Sequence, residues 1–313
     1  EDFGIDYLGP VDGHNIVELI RVLQLAQKNK KSVVVHVVTE KGKGYSFAEN
    51  DQEGKWHGTP PFNVKSGRVL SSGNPSKKSW SEIISDQVLQ WMKIDKDIVS
   101  ITPAMIKGSA MNNLFKVFPE RCFDVGIAEE HALTFTAGLS ISQKKPFISV
   151  YSSFLQRAYD QINHDIARMN LPCLIGVDRC GLVGADGETH HGCFDLSYLS
   201  MIPNMTVMAP KNGKELEEML KFAVEELDGP CAIRYPKGSA CTDMEECHEP
   251  LKKGRSEVIT PGSEIAVLGV GSMVSVCQKV CEEIRNHKIA GATFVNVRFV
   301  KPLDTEMLEA LTK

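Results

Sequence analysis

The sequence lacks the features that mark membrane proteins and nucleic-acid-binding proteins. No run approaches the roughly 18 apolar residues that a membrane-spanning helix needs, and no secretory signal pattern stands at the start. The net charge of −5 over 313 residues offers no basic surface for nucleic acid or an anionic membrane. We therefore expect a cytoplasmic protein, with any targeting signal confined to residues upstream of Glu1.

Closely spaced cysteine pairs are also missing. Nine cysteines are scattered along the chain without a CxxC pair, and several lie in apolar, strand-like segments such as 171–175. A zinc site needs closer Cys and His spacing than this. The pattern indicates reduced, structural thiols in a cytosolic protein.

The first 70 residues contain one helix–strand unit. Residues 15–29 have helical spacing with Asn15 as the N-cap, and 33–38 form an apolar run typical of a strand buried in a parallel sheet. GPVDGH, at 9–14, has the composition of a turn. One such unit cannot enclose a core alone. Residues 1–70 are therefore expected to be the tail of a larger first domain.

Residues 71–240 show a regular alternation of strands and helices, which predicts a doubly wound, mostly parallel α/β sheet with helices on both faces. The predicted strands are 98–101, 122–125, 147–150, 173–177, 206–208 and 231–233. The predicted helices are 80–92, 129–142, 153–169 and 213–226. In such sheets functional residues follow the carboxyl ends of strands. Five candidates do so: Met105, Glu129, Tyr151, Arg179 and Lys237.

Two stretches have the composition of linkers. Residues 65–79 are crowded with glycine, serine and lysine, and residues 240–262 are rich in charge and contain two prolines. A strand–helix–strand pattern follows at 264–268, 273–285 and 291–297. Residues 241–313 are therefore expected to be the start of a further α/β domain.

The strand-to-helix junction at 123–132 is the strongest candidate site. An apolar approach runs into Gly126, and Glu129 and Glu130 then open a helix. Burial there would favour the protonated form of Glu129, which can share its proton with a ligand nitrogen. Alternatively, the two acids complement the helix dipole from the first turn. Position alone leaves both interpretations open.

Two other segments carry candidate ligand contacts. Helix 153–169 has an apolar face, while Phe154 and Arg157 lie on the opposite face, where an aromatic ring can stack on a flat ligand. The loop 178–192 is rich in glycine, which allows close approach to a ligand. The alternatives are a solvated helix face and a polar surface loop.

Long sequence motifs in these segments and elsewhere in the chain resemble those of the transketolase superfamily of thiamine diphosphate enzymes. They are, in chain order, GPVDGH, KGKGY, FDVGIAEEHALTFTAGL, YSSFLQRAYDQ, DRCGLVGADGETHHGCFDLSYL and GPCAIRYPKG. The resemblance covers nearly the whole chain. It implies the thiamine diphosphate-binding fold, followed by the start of a transketolase C-terminal-like domain.

The resemblance also implies an activity. It is that of a transferase that uses thiamine diphosphate and Mg²⁺ to condense pyruvate with D-glyceraldehyde 3-phosphate, with loss of CO₂. The product would serve isoprenoid, thiamine and pyridoxal biosynthesis, and a homodimer is expected by analogy. The alternatives are a transketolase, a subunit of the 2-oxoacid dehydrogenase type, or a non-catalytic fragment that binds a partner.

The resemblance assigns three kinds of role to residues of this chain. The catalytic residues would be Glu129, His57 and His190. The cofactor contacts would be Tyr45, Met105, Phe154 and Glu129 itself. The substrate contacts would be Tyr151, Arg157, Arg179, Asp186 and Lys237.

The sequence departs from the family pattern in three respects. Glu130 stands where glutamine is usual, and Lys237 stands where arginine is usual, which removes a bidentate fork for phosphate. Arg234 is a candidate to compensate. The GDG word that holds Mg²⁺ and the diphosphate is missing. The metal ligands are therefore expected outside this segment, either upstream or on a second polypeptide.

Overall fold

The computed structural model describes residues 2–51, 54–70, 77–241, 244 and 249–313. Contacts divide the chain into two compact units, Glu1–Asn74 and Pro75–Lys313. The predicted linkers 65–79 and 240–262 fall partly on 71–76, 242–243 and 245–248, which lie outside the described residues. The boundary predicted at residue 71 falls there too, so the three-domain division stays a prediction. Among the described residues, the linker prediction is wrong where Arg68–Val69 and Glu257–Thr260 form strands.

The first unit is built on two parallel strands, β1 (Asp6–Asp12) and β2 (Val33–Val38), joined by helix α1 (Ile16–Lys28). Asn15 caps α1 as predicted, because its side chain accepts a hydrogen bond from the Glu18 amide. The unit is completed by α2 (Ser46–Glu49), β3 (Phe62–Asn63) and β4 (Arg68–Val69).

Two expectations for the first unit are wrong. GPVDGH is not a free turn, because most of it lies within β1, whose register shifts between Leu8 and Val11. Nor is β2 buried, since Val34 is 48% and Val38 is 52% exposed. Val11 is the only buried apolar side chain among the described residues of this unit. One helix on two strands leaves most apolar side chains uncovered, which agrees with the small size of the unit.

The second unit contains two sheets. Its strands are β5 (Ile98–Thr102), β6 (Cys122–Asp124), β7 (Lys145–Tyr151), β8 (Leu174–Asp178), β9 (Thr206–Met208), β10 (Cys231–Arg234), β11 (Glu257–Thr260), β12 (Ile265–Val270), β13 (Ala292–Val297) and β14 (Phe299–Lys301). The large sheet has the order β14-β9-β10-β8-β7-β5-β6. All its neighbours pair in parallel except β14, which joins β9 antiparallel at the edge.

Helices cover both faces of the large sheet, as predicted. The helices of the second unit are α3 (Trp80–Ile94), α4 (Asn112–Val117), α5 (Glu129–Ile141), α6 (Ser152–Leu155), α7 (Tyr159–Gln161), α8 (Asp195–Met201), α9 (Gly213–Glu225), α10 (Val274–Asn286) and α11 (Thr305–Leu311). One core packs α5 against the sheet around Leu133, and the other packs α3 and α9 around Val88 and Leu216. Among the described residues, no helix has the length and apolar character to cross a membrane.

The single regular helix predicted over 153–169 is wrong. The segment divides into α6, a 3₁₀ turn, α7 and a π-helical turn at Ile162–Ala167. Leu155 and Ile162 are buried as the predicted core face requires, but Met169 is 47% exposed. The cause is the change of helical period, because 3₁₀ and π turns rotate side chains away from a count of 3.6 residues per turn.

The small sheet has the order β11-β13-β12, with β12 parallel and β11 antiparallel to β13. Helix α10 packs against β12 and β13, around Val274 and Phe294. The chain then returns to the large sheet as β14. This return connects the C-terminal residues to the main sheet, and contacts place all of 75–313 in one unit.

Candidate active site

Five of the predicted residues lie at the carboxyl ends of adjacent strands of the large sheet. Across β10, β8, β7, β5 and β6 they are, in order, Lys237, Arg179, Tyr151, Met105 and Glu129. Neighbouring strands lie only about 4.8 Å apart. The fold therefore brings residues that are distant in sequence to one edge, where doubly wound sheets bind ligands.

Glu129 is the first residue of α5 and is only 3% exposed. Its carboxylate has no hydrogen bond or ion pair with any described residue. Ala128 precedes it as the N-cap and supplies no side-chain cap. The helix dipole favours an anion here, but a buried carboxyl without a partner also suits a ligand that shares a proton with it.

The loops beside Glu129 are held together by one carboxylate. Asp124 Oδ1 accepts hydrogen bonds from the amide of Ala104, at 2.8 Å, and from the amide of Gly126, at 3.0 Å. Gly126 has φ 73°, which favours glycine at this turn. The segment after β5, which carries Met105, is thereby fixed against the turn that leads into α5.

A row of contacts runs from Met105 to His190. The amide of Tyr151 lies 3.3 Å from Met105 Sδ, and the Tyr151 ring stacks on Phe154 with centroids 5.7 Å apart. Phe154 in turn meets the His190 ring edge-on at 5.2 Å. The Arg157 guanidinium lies 5.6 Å from the Phe154 centroid. The structure therefore brings the aromatic and basic candidates of the second unit into contact.

Arg179 is fixed against Tyr151 and Gly108. Its guanidinium lies 3.9 Å from the centroid of the Tyr151 ring, and its Nη2 donates to the carbonyl of Gly108 at 3.3 Å. Burial raises the pKa of Tyr151 to about 12. The phenol is therefore neutral near pH 7 and can act as a hydrogen-bond donor beside the guanidinium.

Gly108→Ala is expected to destabilise the protein by about 1–3 kcal/mol. A Cβ at this position would lie 1.5 Å from the Tyr151 hydroxyl oxygen, so the ring or the loop must move. Gly138→Ala is the matched control, because a Cβ there meets nothing within 4 Å in helix α5 and should stabilise by about 0.5–1 kcal/mol. Urea unfolding of both variants tests this, and equal shifts would contradict it.

Asp186 is the shared partner of two predicted phosphate ligands. Its Oδ2 pairs with Arg179 Nη1 at 2.5 Å, and its Oδ1 pairs with Lys237 Nζ. Burial acts in the opposite direction, but the Lys237 hydrogen bond and the Arg179 charge lower the pKa of Asp186. The carboxylate therefore stays ionised and demonstrates that an anionic group fits between these two cations.

The two neighbouring histidines have different surroundings. His191 Nδ1 accepts the amide hydrogen bond of Val183 at 3.1 Å, which fixes the loop. His190 contacts the side chains of Thr189 and Phe154. This difference agrees with the interpretation that places the function on His190, which stays a prediction.

Tyr45 and His57 belong to the first unit, and their position relative to the second unit stays a prediction. Tyr45 lies among aromatic rings, with centroids 5.0 Å from Trp56 and 5.8 Å from Phe62. His57 Nδ1 lies 3.2 Å from Lys41 Nζ. The KGKGY motif, which contains Lys41 and Tyr45, is therefore a neighbour of Trp56 and His57 within this unit.

Arg234 does not offer a free cation to compensate for Lys237. Its Nε pairs at 2.5 Å with Asp195, the first residue of α8, and that carboxylate is 1% exposed. The pair attaches α8 to the end of β10. Among the described residues, no group of three or more His, Cys, Asp or Glu side chains could hold a metal ion.

Sequence reasoning missed one buried acid beneath this edge, Asp178. It is the last residue of β8 and is 0% exposed. Ser81 Oγ donates to its Oδ2 at 2.8 Å. Burial raises the pKa of Asp178 to about 6, while the Ser81 hydrogen bond lowers it. The only sequence signal was an aspartate that ends an apolar strand directly before a candidate arginine.

Asp178→Asn is expected to change how stability depends on pH. The folded state holds the Asp178 proton more tightly than the unfolded chain, so this group's contribution falls as pH rises from about 4 to 6. A pKa raised by about two units corresponds to about 3 kcal/mol. As pH rises from about 4 to 7, the free energy of unfolding of the variant should therefore increase by about that much relative to the wild type. Denaturant unfolding measures both proteins at each pH. The same pH dependence of stability in the two proteins would contradict a raised pKa for Asp178.

The fold and the edge define a transketolase-type α/β protein, and the chain belongs to the transketolase pyrimidine-binding domain family. Residues 76–242 match the family described as transketolase, pyrimidine binding domain. Residues 254–313 match the transketolase C-terminal domain. Residues 1–39 match a family described as 1-deoxy-D-xylulose-5-phosphate synthase.

Among curated proteins the chain is similar to 1-deoxy-D-xylulose-5-phosphate synthases. It is 48% identical to that of Lachnoclostridium phytofermentans, over 100% of this chain and 49% of the relative. It is 46% identical to that of a Cyanothece strain, over 100% of this chain and 50% of the relative. The chain thus spans about half the length of the curated relatives it matches.

Solved structures agree with this family. A split-gene transketolase, described as an inactive β4 tetramer, is 26% identical with a TM-score of 0.66, over 76% of this chain and 77% of that one. A transketolase from Pichia stipitis, in complex with sedoheptulose 7-phosphate, has a TM-score of 0.60 over 72% of this chain and 35% of that one. At 14% identity the second shows the fold alone.

Proposed function

We propose that this chain is part of an enzyme that condenses pyruvate with D-glyceraldehyde 3-phosphate, releasing CO₂ and forming 1-deoxy-D-xylulose 5-phosphate. The observation that carries the proposal is the sheet edge itself. It places a buried, unpartnered carboxylate, Glu129, at the end of one strand and the cations Arg179 and Lys237 at the ends of two others. Relatives that match the whole of this chain at 48% and 46% identity are named as this synthase, which favours it over a transketolase.

The described residues fit the pyrimidine end of thiamine diphosphate. Glu129 is buried, and it has no hydrogen-bond partner within the described part of the chain. Phe154 presents an aromatic ring, and Met105 is a buried thioether beside Tyr151. From the family resemblance we propose that the ligands of the diphosphate and Mg²⁺ lie outside this segment. When bound, the cofactor supplies the electron sink for decarboxylation of a 2-oxo acid.

Glu129 would hold the proton that the pyrimidine ring nitrogen shares. Phe154 would orient the ring by stacking. Tyr45 is proposed, from the family resemblance, as a further cofactor contact. These residues bind and orient the cofactor and exclude water.

Arg179 and Lys237 would bind the phosphate of the aldehyde, with Tyr151 and Arg157 beside them. An incoming phosphate meets cations that Asp186 already pairs with, so the carboxylate must share them or turn towards a substrate hydroxyl. Lys237 acts as a point charge and lacks the fork of an arginine. The Arg179 guanidinium is therefore the more specific of the two ligands.

His190 and His57 would move protons at the substrate carbonyl and hydroxyl oxygens. Histidine suits this role because its ordinary pKa lies near neutrality.

We further propose that residues 1–70, 71–240 and 241–313 are parts of three domains and that the enzyme works as a cytoplasmic homodimer. This proposal is supported by the sequence motifs of the candidate site, which resemble those of a family that builds its sites between domains.

The test uses the native full-length polypeptide with thiamine diphosphate, Mg²⁺ and pyruvate. CO₂ release is followed with and without glyceraldehyde 3-phosphate, and the product is identified by mass. We expect a deoxypentulose 5-phosphate only when both substrates are present. CO₂ without a sugar product, or no CO₂ from folded protein, would overturn the proposal.

A further inference from the structure

The carboxyl group of Asp178 is fully buried, yet the proposed reaction does not use it. One oxygen accepts from Ser81 in the first turn of α3, and the other has no hydrogen bond with any described residue. The hydroxyl of Ser109 also favours the ionised form of Asp178, although it lacks the geometry of a hydrogen bond. A buried carboxyl that is half satisfied is costly, so its position needs a reason.

Asp178 stands directly before Arg179, and both residues contact the loop after β5. Arg179 has φ 61°, a left-handed conformation that is uncommon for a residue with a side chain. Its guanidinium donates to the Gly108 carbonyl, while Ser109, the next residue, faces Asp178. The same two-residue segment therefore meets Asp178 on one side and the Arg179 guanidinium on the other.

Both the backbone after Arg179 and the Arg179 side chain make contacts that fix this turn. Cys180, which follows, donates its amide to the carbonyl of Tyr235 at 3.0 Å. The guanidinium lies over Tyr151 and pairs with Asp186. Asp178 is a buried charged side chain at this turn, and through Ser81 it attaches the turn to α3.

We infer that Asp178 is a positioning residue that fixes the Arg179 turn against α3 and the Gly108–Ser109 segment, and thereby sets the affinity for the phosphate of the aldehyde substrate. This inference rests on the proposed function. It assigns to Asp178 no contact with substrate or cofactor. Its effect passes through Arg179, so it concerns the phosphorylated substrate and not pyruvate.

The test compares the wild type with Asp178→Asn in the full-length holoenzyme. We expect KM for glyceraldehyde 3-phosphate to rise about tenfold, the size expected when one charged hydrogen bond is misplaced. KM for pyruvate and kcat at saturation should stay within about twofold. With non-phosphorylated glyceraldehyde as acceptor, the two proteins should be equal. A merely structural role would instead lower the active fraction with every substrate.

Three further variants and a binding measurement complete the test. Ser81→Ala removes the partner of Asp178 and should raise the same KM, while Lys237→Met, which removes a direct cation, sets the scale of a phosphate-specific loss. Asp228→Asn changes an exposed acid and should have no effect. Calorimetric titration with inorganic phosphate should show weaker binding to both the Asp178 and Ser81 variants.

The outcomes separate this inference from the proposed function. An unchanged KM for glyceraldehyde 3-phosphate in both the Asp178 and Ser81 variants, in an active wild type, overturns the inference alone. Equal losses for pyruvate and for the aldehyde also overturn it. A wild type that releases no CO₂ overturns the proposed function. The phosphate titration then still decides whether Asp178 positions an anion-binding arginine.

Discussion

Replacing Glu129 with glutamine in the full-length polypeptide is expected to lower turnover by about 10²–10⁴-fold, the range for loss of a positioned proton donor. Glutamine keeps the size of the side chain but cannot exchange a proton with a ring nitrogen. Glu129 is 3% exposed and has no partner among the described residues, so no neighbour can take over its proton. Glu129→Ala should be at least as severe.

The matched control for this prediction is the next residue. Glu130 is also in the first turn of α5 but is exposed, since successive helical residues point about 100° apart. If the two acids only complement the helix dipole, Glu129→Gln and Glu130→Gln should have similar small effects on stability and none on turnover. If Glu129 activates the cofactor, only its variant should lose activity. CO₂ release and thermal unfolding of both variants distinguish the two cases.

The large sheet could be predicted from the sequence because its strands are short, apolar and separated by helical patterns. The predicted strand 206–208 matches the observed bounds, and 147–150 lies within β7. The edge strand β14 was missed because three residues carry no periodic signal, and its pairing with β9 depends on a chain segment about 90 residues away. The helix 153–169 was misjudged because local sequence does not show a change of helical period.

The candidate site could be predicted in part from the ends of the strands and in part from motifs that resemble a family. Strand ends alone identified the edge with Tyr151 and Arg179, because parallel strands bring their carboxyl ends together. The requirement for glycine at 108 depends on a tyrosine 43 positions later, so no local pattern indicates it. The burial of Asp178 and the pairing of Arg234 with Asp195 likewise arise from tertiary contacts. Contacts between residues that are far apart in the sequence cannot be predicted from local patterns, even when each residue is itself a candidate.

A buried network of charges joins the C-terminal residues to the large sheet. Arg298, which lies between β13 and β14, donates from Nε to Glu215 at 3.0 Å, and its Nη2 lies 3.3 Å from Glu257. Lys211 Nζ pairs with Glu257 at 2.7 Å. Asn296 donates to both carboxylates. The network contains two cations, Lys211 and Arg298, and two anions, Glu215 and Glu257, and all four residues are at most 2% exposed.

The same network holds the strand that returns to the large sheet. Ala209, directly after β9, donates its amide to the carbonyl of Arg298 at 3.0 Å. Phe299, the first residue of β14, is 1% exposed and meets the Phe222 ring edge-on at 5.8 Å. Loss of the Arg298 charge should therefore loosen β14 as well as the small sheet.

Arg298→Met is expected to lower the free energy of unfolding by about 3–5 kcal/mol, because it removes a buried cation that contacts two buried carboxylates. Such a loss is a large part of the roughly 5–15 kcal/mol that stabilises most proteins. Glu215→Gln in the Arg298→Met background should recover part of the loss, since it removes one of the two buried negative charges. Glu283→Gln, in an exposed pair with His287, is the control and should change little. Denaturant unfolding measures all four proteins, and hydrogen exchange at β14 should rise first in Arg298→Met. A loss no larger than that of the control would show that packing, and not this network, joins the two sheets.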